Sequence, residues 1–116
     1  MGIDFSHGDA SWAYSGFNRF RTRLASEIGI NLYEMEGFTQ TEAGKSWEKI
    51  TDNIEPLLNH SDCDGILSPE ECKRVAPRLR ELIKDWLDDD YDKVKALKLA
   101  DGMEEAVNMG EDFEFI

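Results

Sequence analysis

The chain has 116 residues, 41% hydrophobic and 33% charged, so its composition is that of a single globular domain, residues 1–116, and not of a disordered chain. A formal net charge of −12 disfavours direct binding to nucleic acid or to an anionic membrane, because long-range repulsion opposes both. The sequence contains no recognisable signal peptide or membrane-spanning run, and two cysteines do not make a disulfide framework. We therefore expect a cytoplasmic protein with reduced thiols.

The first part of the chain predicts one amphipathic helix between less regular segments. Residues 2–6 favour a short strand, but the surrounding Gly, Ser and Asp residues exclude a helix before Ser15. From Ser15, which can cap a helix, apolar residues recur at helical spacing until Gly29 stops the pattern. These apolar residues are Phe17, Phe20, Leu24 and Ile28. The intervening arginines predict a solvated stripe, formed by Arg19, Arg21 and Arg23, and residues 30–44 predict a loop.

Three further helices are predicted in the rest of the chain. The second starts near Lys45 and should be kinked by Pro56; its apolar side consists of Trp47, Ile50, Ile54, Leu57 and Leu58. The third starts at Ser68 and should bury Cys72, Val75, Leu79, Leu82 and Trp86. The fourth follows the acidic run 88–92, with an interruption expected at Gly102; its predicted apolar side is Val94, Leu97, Met103 and Val107. Residues 111–116 alternate polar and apolar side chains, which predicts an antiparallel strand pair with residues 2–6.

Residues 60–71, HSDCDGILSPEE, carry the strongest functional pattern in the chain. When Gly65 takes the sixth position of a twelve-residue calcium loop, where the backbone turns sharply, oxygen ligands fall at the third, fifth, seventh, ninth and twelfth positions. These ligands are Asp62, Asp64, the carbonyl of Ile66, Ser68 and Glu71. With a helix predicted on each side, the stretch resembles an EF-hand covering roughly residues 46–87. The resemblance implies a helix–loop–helix unit that binds Ca²⁺ through oxygen atoms.

The first position departs from the EF-hand pattern, because His60 stands where the family has aspartate. An imidazole nitrogen is a poor ligand for a hard cation, so the affinity for Ca²⁺ should fall. We keep His60 as a candidate ligand, with the side-chain amide of Asn59 as the alternative if the loop is one residue longer.

Two other interpretations of this stretch remain open. In the first the loop holds no metal, because Ser68 and Glu71 can form a capping box by themselves and Asp–Gly sequences are common in turns. In the second a softer metal such as zinc is bound, for which the candidate ligands are His7, His60, Cys63 and Cys72. In the calcium-loop geometry, however, Cys63 should point outward and Cys72 should lie in the core.

Four stretches of the sequence, FSHG, YSGFNRFR, LLNHSDCDG and LSPEECKRVAPRLREL, together resemble a family of short uncharacterised proteins of bacteria and their phages. The resemblance covers nearly the whole chain and implies a bacterial or phage origin, without an activity. The fold class that we expect is mainly α: a single small helical domain with a central EF-hand-like helix–loop–helix and a strand pair between the termini. Its core should hold the large aromatic residues, namely Trp12, Phe17, Phe20, Trp47 and Trp86.

The leading functional hypothesis is a non-enzymatic, calcium-responsive binding protein, because no catalytic motif is recognisable. A lone EF-hand needs a partner for its loop strand, which would be either a second copy in a homodimer or another segment of the same chain. The alternative is a metal-independent acidic protein of phage or mobile-element origin that inhibits a basic host protein, such as a nucleic-acid-binding or defence protein. It is favoured by the absence of basic residues after Lys98, where six acidic residues follow.

Overall fold

A computed structural model describes residues 2–39, 43–61 and 63–116 of the chain. Within these ranges the chain forms four α-helices and two pairs of short antiparallel strands, which confirms the mainly α fold class. In chain order the elements are β1 (Gly2–Asp4), β2 (Ser11–Ala13), α1 (Tyr14–Glu27), α2 (Glu55–Leu58), β3 (Ile66–Leu67), α3 (Pro69–Ile83), α4 (Tyr91–Met109) and β4 (Phe113–Glu114).

The N-terminal part of the fold is a strand pair followed directly by α1. β1 and β2 pair antiparallel, with Ile3 opposite Trp12, and both of these side chains are buried. The predicted apolar side of α1 is confirmed at Phe17, Phe20 and Leu24, which have no exposed surface. The helix begins one residue before Ser15 and ends at Glu27, close to the predicted stop.

The predicted second helix from Lys45 is wrong. The chain instead makes a 3₁₀ turn at Trp47–Lys49 and a single helical turn, α2. Pro56 lies in the first turn of α2, where its missing amide costs nothing, whereas in a longer helix its ring would crowd the carbonyl of Asp52. The carboxylate of Asp52 accepts a hydrogen bond from the amide of Ile54 (3.0 Å), which further favours a turn at this point.

α3 and α4 pack mainly against each other. The predicted apolar face of α4 is confirmed at Met103, which has no exposed surface, but it is wrong at Val94, which is 42% exposed. Leu97 and Val107 are partly buried against the core. The buried set is Lys93, Ala96, Leu99, Ala100, Gly102, Met103 and Ala106. The expected interruption at Gly102 is also wrong, because α4 runs through it; this glycine lies against the backbone carbonyl of His7, and an added Cβ would collide with that oxygen.

The C-terminal residues 113–116 pair both with the loop strand β3 and with the N-terminal segment. β4 pairs antiparallel with β3, Ile66 opposite Glu114 and Leu67 opposite Phe113. The expected pairing of the termini is also present: Phe5 and Phe115 form an antiparallel bridge, and the backbones of Asp4 and Ile116 exchange two hydrogen bonds of 3.2 and 2.8 Å. Of the two alternatives for the loop strand, the structure therefore has the one within the chain.

The predicted aromatic core is confirmed, because each of its five members is at most 9% exposed. Leu82, in contrast, is only half-buried, and its neighbour Ile83 takes the core position. Among the described residues, no helix combines the length and apolar character that crossing a membrane requires.

Candidate metal-binding loop

The backbone of residues 63–71 has the features that a calcium loop requires at its sixth and eighth positions. Gly65 has a φ of +97°, a conformation that residues with a side chain rarely adopt. Leu67, at the eighth position, is 1% exposed and docks the loop on the core. β3 then holds this half of the loop against β4. The sequence therefore predicts the turn and the docking residue correctly, whereas the helix before the loop is reduced to the one turn of α2.

The candidate oxygen ligands differ in their surroundings. Asp64 is exposed to solvent, and Ser68 and Glu71 are half-buried at the start of α3. The capping box is present: the amide of Glu71 donates to Ser68 Oγ (3.2 Å) and the amide of Ser68 donates to Glu71 Oε1 (2.9 Å). Asp62 lies outside the described residues. In this arrangement Glu71 caps the helix, as the metal-free interpretation requires, and its carboxylate also lies at the twelfth position of the loop.

The side chain of His60 is turned into the loop. Its Nδ1 lies 2.9 Å from the carbonyl oxygen of Ser61, and its Nε2 lies 3.0 Å from the carbonyl oxygen of Ile66. The ring stacks on Phe115 with 3.8 Å between centroids, and a Cβ on Gly65 would lie 3.0 Å from its Cε1 atom. The candidate ligand at the first position thus already bonds the backbone oxygen of the seventh.

Arg21 fixes the backbone at the start of the loop, a role that the sequence pattern did not indicate. The prediction of a solvated arginine stripe is wrong at this residue, which is 1% exposed and donates from Nη1 to the carbonyl of His60 (2.5 Å). Its guanidinium lies 4.6 Å from the ring centroid of Phe17 and 5.1 Å from that of Phe38. The one signal in the sequence is spacing, because position 21 follows Phe17 by four residues and therefore shares its face of α1.

A cleft of about 480 Å³ lies beside the loop, between α1, residues 32–38 and residues 59–61. Arg78 of α3 donates two hydrogen bonds, of 2.9 and 2.8 Å, to the carboxylate of Asp52. This bidentate contact, helped by the amide of Ile54, holds the pKa of the Asp52 carboxyl below its ordinary value of 3.8 despite partial burial. The ion pair braces the segment before α2 against the helix that leaves the loop.

The described side chains of the loop, which do not include Asp62, do not form an assembled metal site. Within residues 2–39, 43–61 and 63–116, no three His, Cys, Asp or Glu side chains come together closely enough to hold a metal ion. The oxygen donors still suit a hard cation, because carboxylate, hydroxyl and carbonyl groups are what Ca²⁺ prefers. The loop thus fits calcium in its turn and in its donor types, and binding would require Glu71 and the carbonyl of Ile66 to exchange their hydrogen-bond partners for the ion.

The four candidate zinc ligands are not brought together, so the structure gives no support to a zinc site. As expected, Cys63 is exposed and Cys72 is buried, and burial raises the pKa of the Cys72 thiol to about 11. His7 lies in a different cluster, where Nδ1 contacts Ser6 Oγ (2.6 Å) and Nε2 contacts Glu111 Oε1 (3.0 Å). This cluster ties the N-terminal segment to the chain after α4; sequence reasoning missed it because its members are 104 positions apart.

Comparisons of the chain with protein-family models, with curated proteins and with solved structures gave no match. The function is therefore inferred from the geometry of the loop and its surroundings.

Proposed function

We propose that this protein is a non-enzymatic binding protein whose loop, residues 60–71, takes up Ca²⁺ with low affinity and is stabilised by it. The observation that carries the proposal is Gly65, which adopts the left-handed turn at the sixth position and passes the chain directly into β3. A capping box alone requires neither this turn nor the pairing of the loop with a second strand.

The electrostatics of the loop also support uptake of a cation. Asp64 is exposed, and the carboxylate of Glu71 is held at the start of α3 by a single backbone amide at 2.9 Å. The chain as a whole carries a net charge of −12, which raises the local concentration of cations around it. With His60 in place of the first carboxylate, the expected dissociation constant is about 10⁻⁴ to 10⁻³ M, in the weak range for such loops.

Isothermal titration calorimetry with Ca²⁺ tests the proposal, using Glu71→Gln as the perturbation. Glutamine keeps the capping box, because its side-chain oxygen still accepts from the Ser68 amide, but it removes the charged ligand. Glu70→Gln is the matched control: it changes the net charge equally on the neighbouring, 84% exposed side chain. We expect binding by the parent and by Glu70→Gln and at least tenfold weaker binding by Glu71→Gln. Equal binding by the two variants, or no heat with the parent at about 10 mM Ca²⁺, ten times the weak limit, would remove the proposal.

A second candidate function is docking to a basic protein surface. The C-terminal segment, residues 111–116, is the favoured contact, because acids on α4 are paired with an arginine whereas acids in this segment are exposed. Arg80 of α3 pairs with Asp101 and Glu104 of α4, at 2.5 and 2.9 Å, so its charge balances one of these two carboxylates within the fold. Asp112 and Glu114 are exposed beyond them. This proposal predicts that the protein binds an arginine-rich peptide and that Asp112→Asn with Glu114→Gln weakens the binding. Loss of equal size when Glu34 and Glu48 are neutralised instead would show a general charge effect.

A further inference from the structure

The imidazole of His60 lies where it interferes with the proposed calcium site. Its Nε2 is 3.0 Å from the carbonyl oxygen of Ile66, the backbone ligand of the seventh position. A calcium ion bound to that oxygen would lie about 2.4 Å from it and would have to share the oxygen with the ring nitrogen, which is 3.0 Å away. Ring and ion therefore compete for one oxygen.

The ring is held in this position from several directions. Nδ1 contacts the carbonyl oxygen of Ser61 (2.9 Å), and the ring face stacks on Phe115 at 3.8 Å. Phe115 is itself fixed, because its amide donates to the carbonyl of Gly65 (2.9 Å) and its side chain is 4% exposed. The buried guanidinium of Arg21 holds the backbone carbonyl of His60. The inward conformation is thus built into the fold and is not that of a loose surface side chain.

In the absence of a metal ion, the ring supplies hydrogen bonds to carbonyl oxygens of the loop. The carbonyl oxygens of Ser61 and Ile66 only accept hydrogen bonds, so the ring donates to one of them in its neutral form and to both when it carries two protons. When it carries two protons, the ring joins two points of the loop that are five residues apart, as a bound cation would; in its neutral form it bonds one of them.

We propose that His60 is a latch and not a calcium ligand: it closes the loop in the absence of metal, and a cation must displace it from Ile66 to bind. This inference rests on the calcium binding proposed above. It assigns the low affinity of the loop to competition from an internal side chain as well as to the missing first carboxylate. It also predicts that metal uptake breaks the stacking of His60 on Phe115 and so loosens the contact between the loop and the C-terminal segment.

The substitution His60→Ala distinguishes a latch from a ligand, because the two roles predict opposite changes in the affinity for Ca²⁺. Calorimetry should show Ca²⁺ binding about tenfold tighter than in the parent, because the cation no longer has to break a hydrogen bond to reach the oxygen of Ile66. A ligand replaced by alanine would instead weaken the binding. His7→Ala, which alters the other histidine far along the chain, is the matched control and should leave the calcium affinity unchanged.

The four outcomes of this titration distinguish the latch from the function on which it rests. Tighter binding by His60→Ala supports both, and binding by His60→Ala alone supports the latch while overturning calcium binding by the natural chain. Weaker or unchanged binding by His60→Ala, with binding by the parent, overturns the latch and leaves the function standing. Absence of binding heat with both proteins overturns both proposals.

Nuclear magnetic resonance of the two histidine rings in the parent protein tests the latch without any substitution near the loop. Addition of Ca²⁺ should shift the ring nitrogen signals of His60, because its contacts with Ile66 and Phe115 are lost, and leave those of His7 in place. A ring of His60 that is unaffected while the amides of the loop respond to calcium would overturn the latch, even if His60→Ala does not fold.

Discussion

Replacement of Gly65 by alanine should lower the free energy of unfolding by about 2–3 kcal/mol, which is the sum of two separable costs. A residue with a side chain pays about 1–2 kcal/mol for the left-handed conformation, and Gly65 has a φ of +97°. The added Cβ would also lie 3.0 Å from Cε1 and 3.3 Å from Nε2 of His60. Since that ring is pinned by two carbonyls and by Phe115, moving it should forfeit a hydrogen bond worth about 1 kcal/mol.

Urea unfolding followed by circular dichroism measures the two costs when Gly29→Ala serves as the control. Gly29 has a φ of +75°, and beyond its chain neighbours no atom would lie within 4 Å of an added Cβ, so its substitution carries the conformational cost alone. In a His60→Ala background the additional cost at Gly65 should disappear, because the ring is absent. A cost of Gly65→Ala no larger than that of Gly29→Ala, or one that is the same with and without the imidazole, would refute this reasoning.

Three further predictions concern the rest of the fold. Asp52→Asn should lower the free energy of unfolding by up to about 1 kcal/mol at pH 7. Because Arg78 lowers the pKa of this carboxyl in the folded state, the stabilisation is complete above pH 3.8, the ordinary pKa, and is lost as the pH falls through the folded pKa. The urea midpoints of parent and variant should therefore converge in acid, and a constant gap between them would contradict the assignment. A thiol reagent should label Cys63 in the folded protein and Cys72, whose pKa is raised to about 11 by burial, only after unfolding; mass spectrometry of the folded protein showing both labels would contradict the packing. Gly102→Ala should cost about 1–3 kcal/mol in thermal unfolding, because its Cβ would collide with the backbone of the N-terminal segment, and an unchanged midpoint would contradict that close approach.

Elements specified by local signals could be predicted from the sequence. α1 follows from the spacing of Phe17, Phe20 and Leu24, and the start of α3 follows from the capping box at Ser68. The turn at Gly65 and the burial of Leu67 follow from the spacing of the loop. Each of these signals spans only a few residues, so no knowledge of the remaining fold is needed to interpret it.

Features that depend on contacts between distant segments could not be predicted in the same way. Periodicity extends the second helix through Ile50 and Ile54, but the chain turns at Asp52 and restarts the helix with Pro56 in its first turn. On α4 the apolar spacing predicts the burial of Met103 but not the exposure of Val94, because the packing of the helix against α3 and the rest of the fold buries Ala96 instead.

The candidate site shows the same division. The oxygen donors and the departure at His60 can be recognised from the sequence, since both depend on position within twelve residues. The inward position of the His60 ring depends on Phe115, on which it stacks. The backbone carbonyl of His60 is held by Arg21, which lies 39 residues earlier in the chain. Neither contact leaves a signal in the loop itself.

The central claim, that Ca²⁺ binds in the loop, is tested most directly by mapping amide chemical shifts during a calcium titration. We expect shifts that saturate together and are largest in residues 60–71, with smaller ones at Phe113 and Glu114, which pair with the loop strand. Glu71→Gln should remove this set of shifts, and Glu70→Gln should retain it. Shifts that are absent, or that are spread over the exposed acids of α4 and the C-terminal segment without saturating, would contradict the claim.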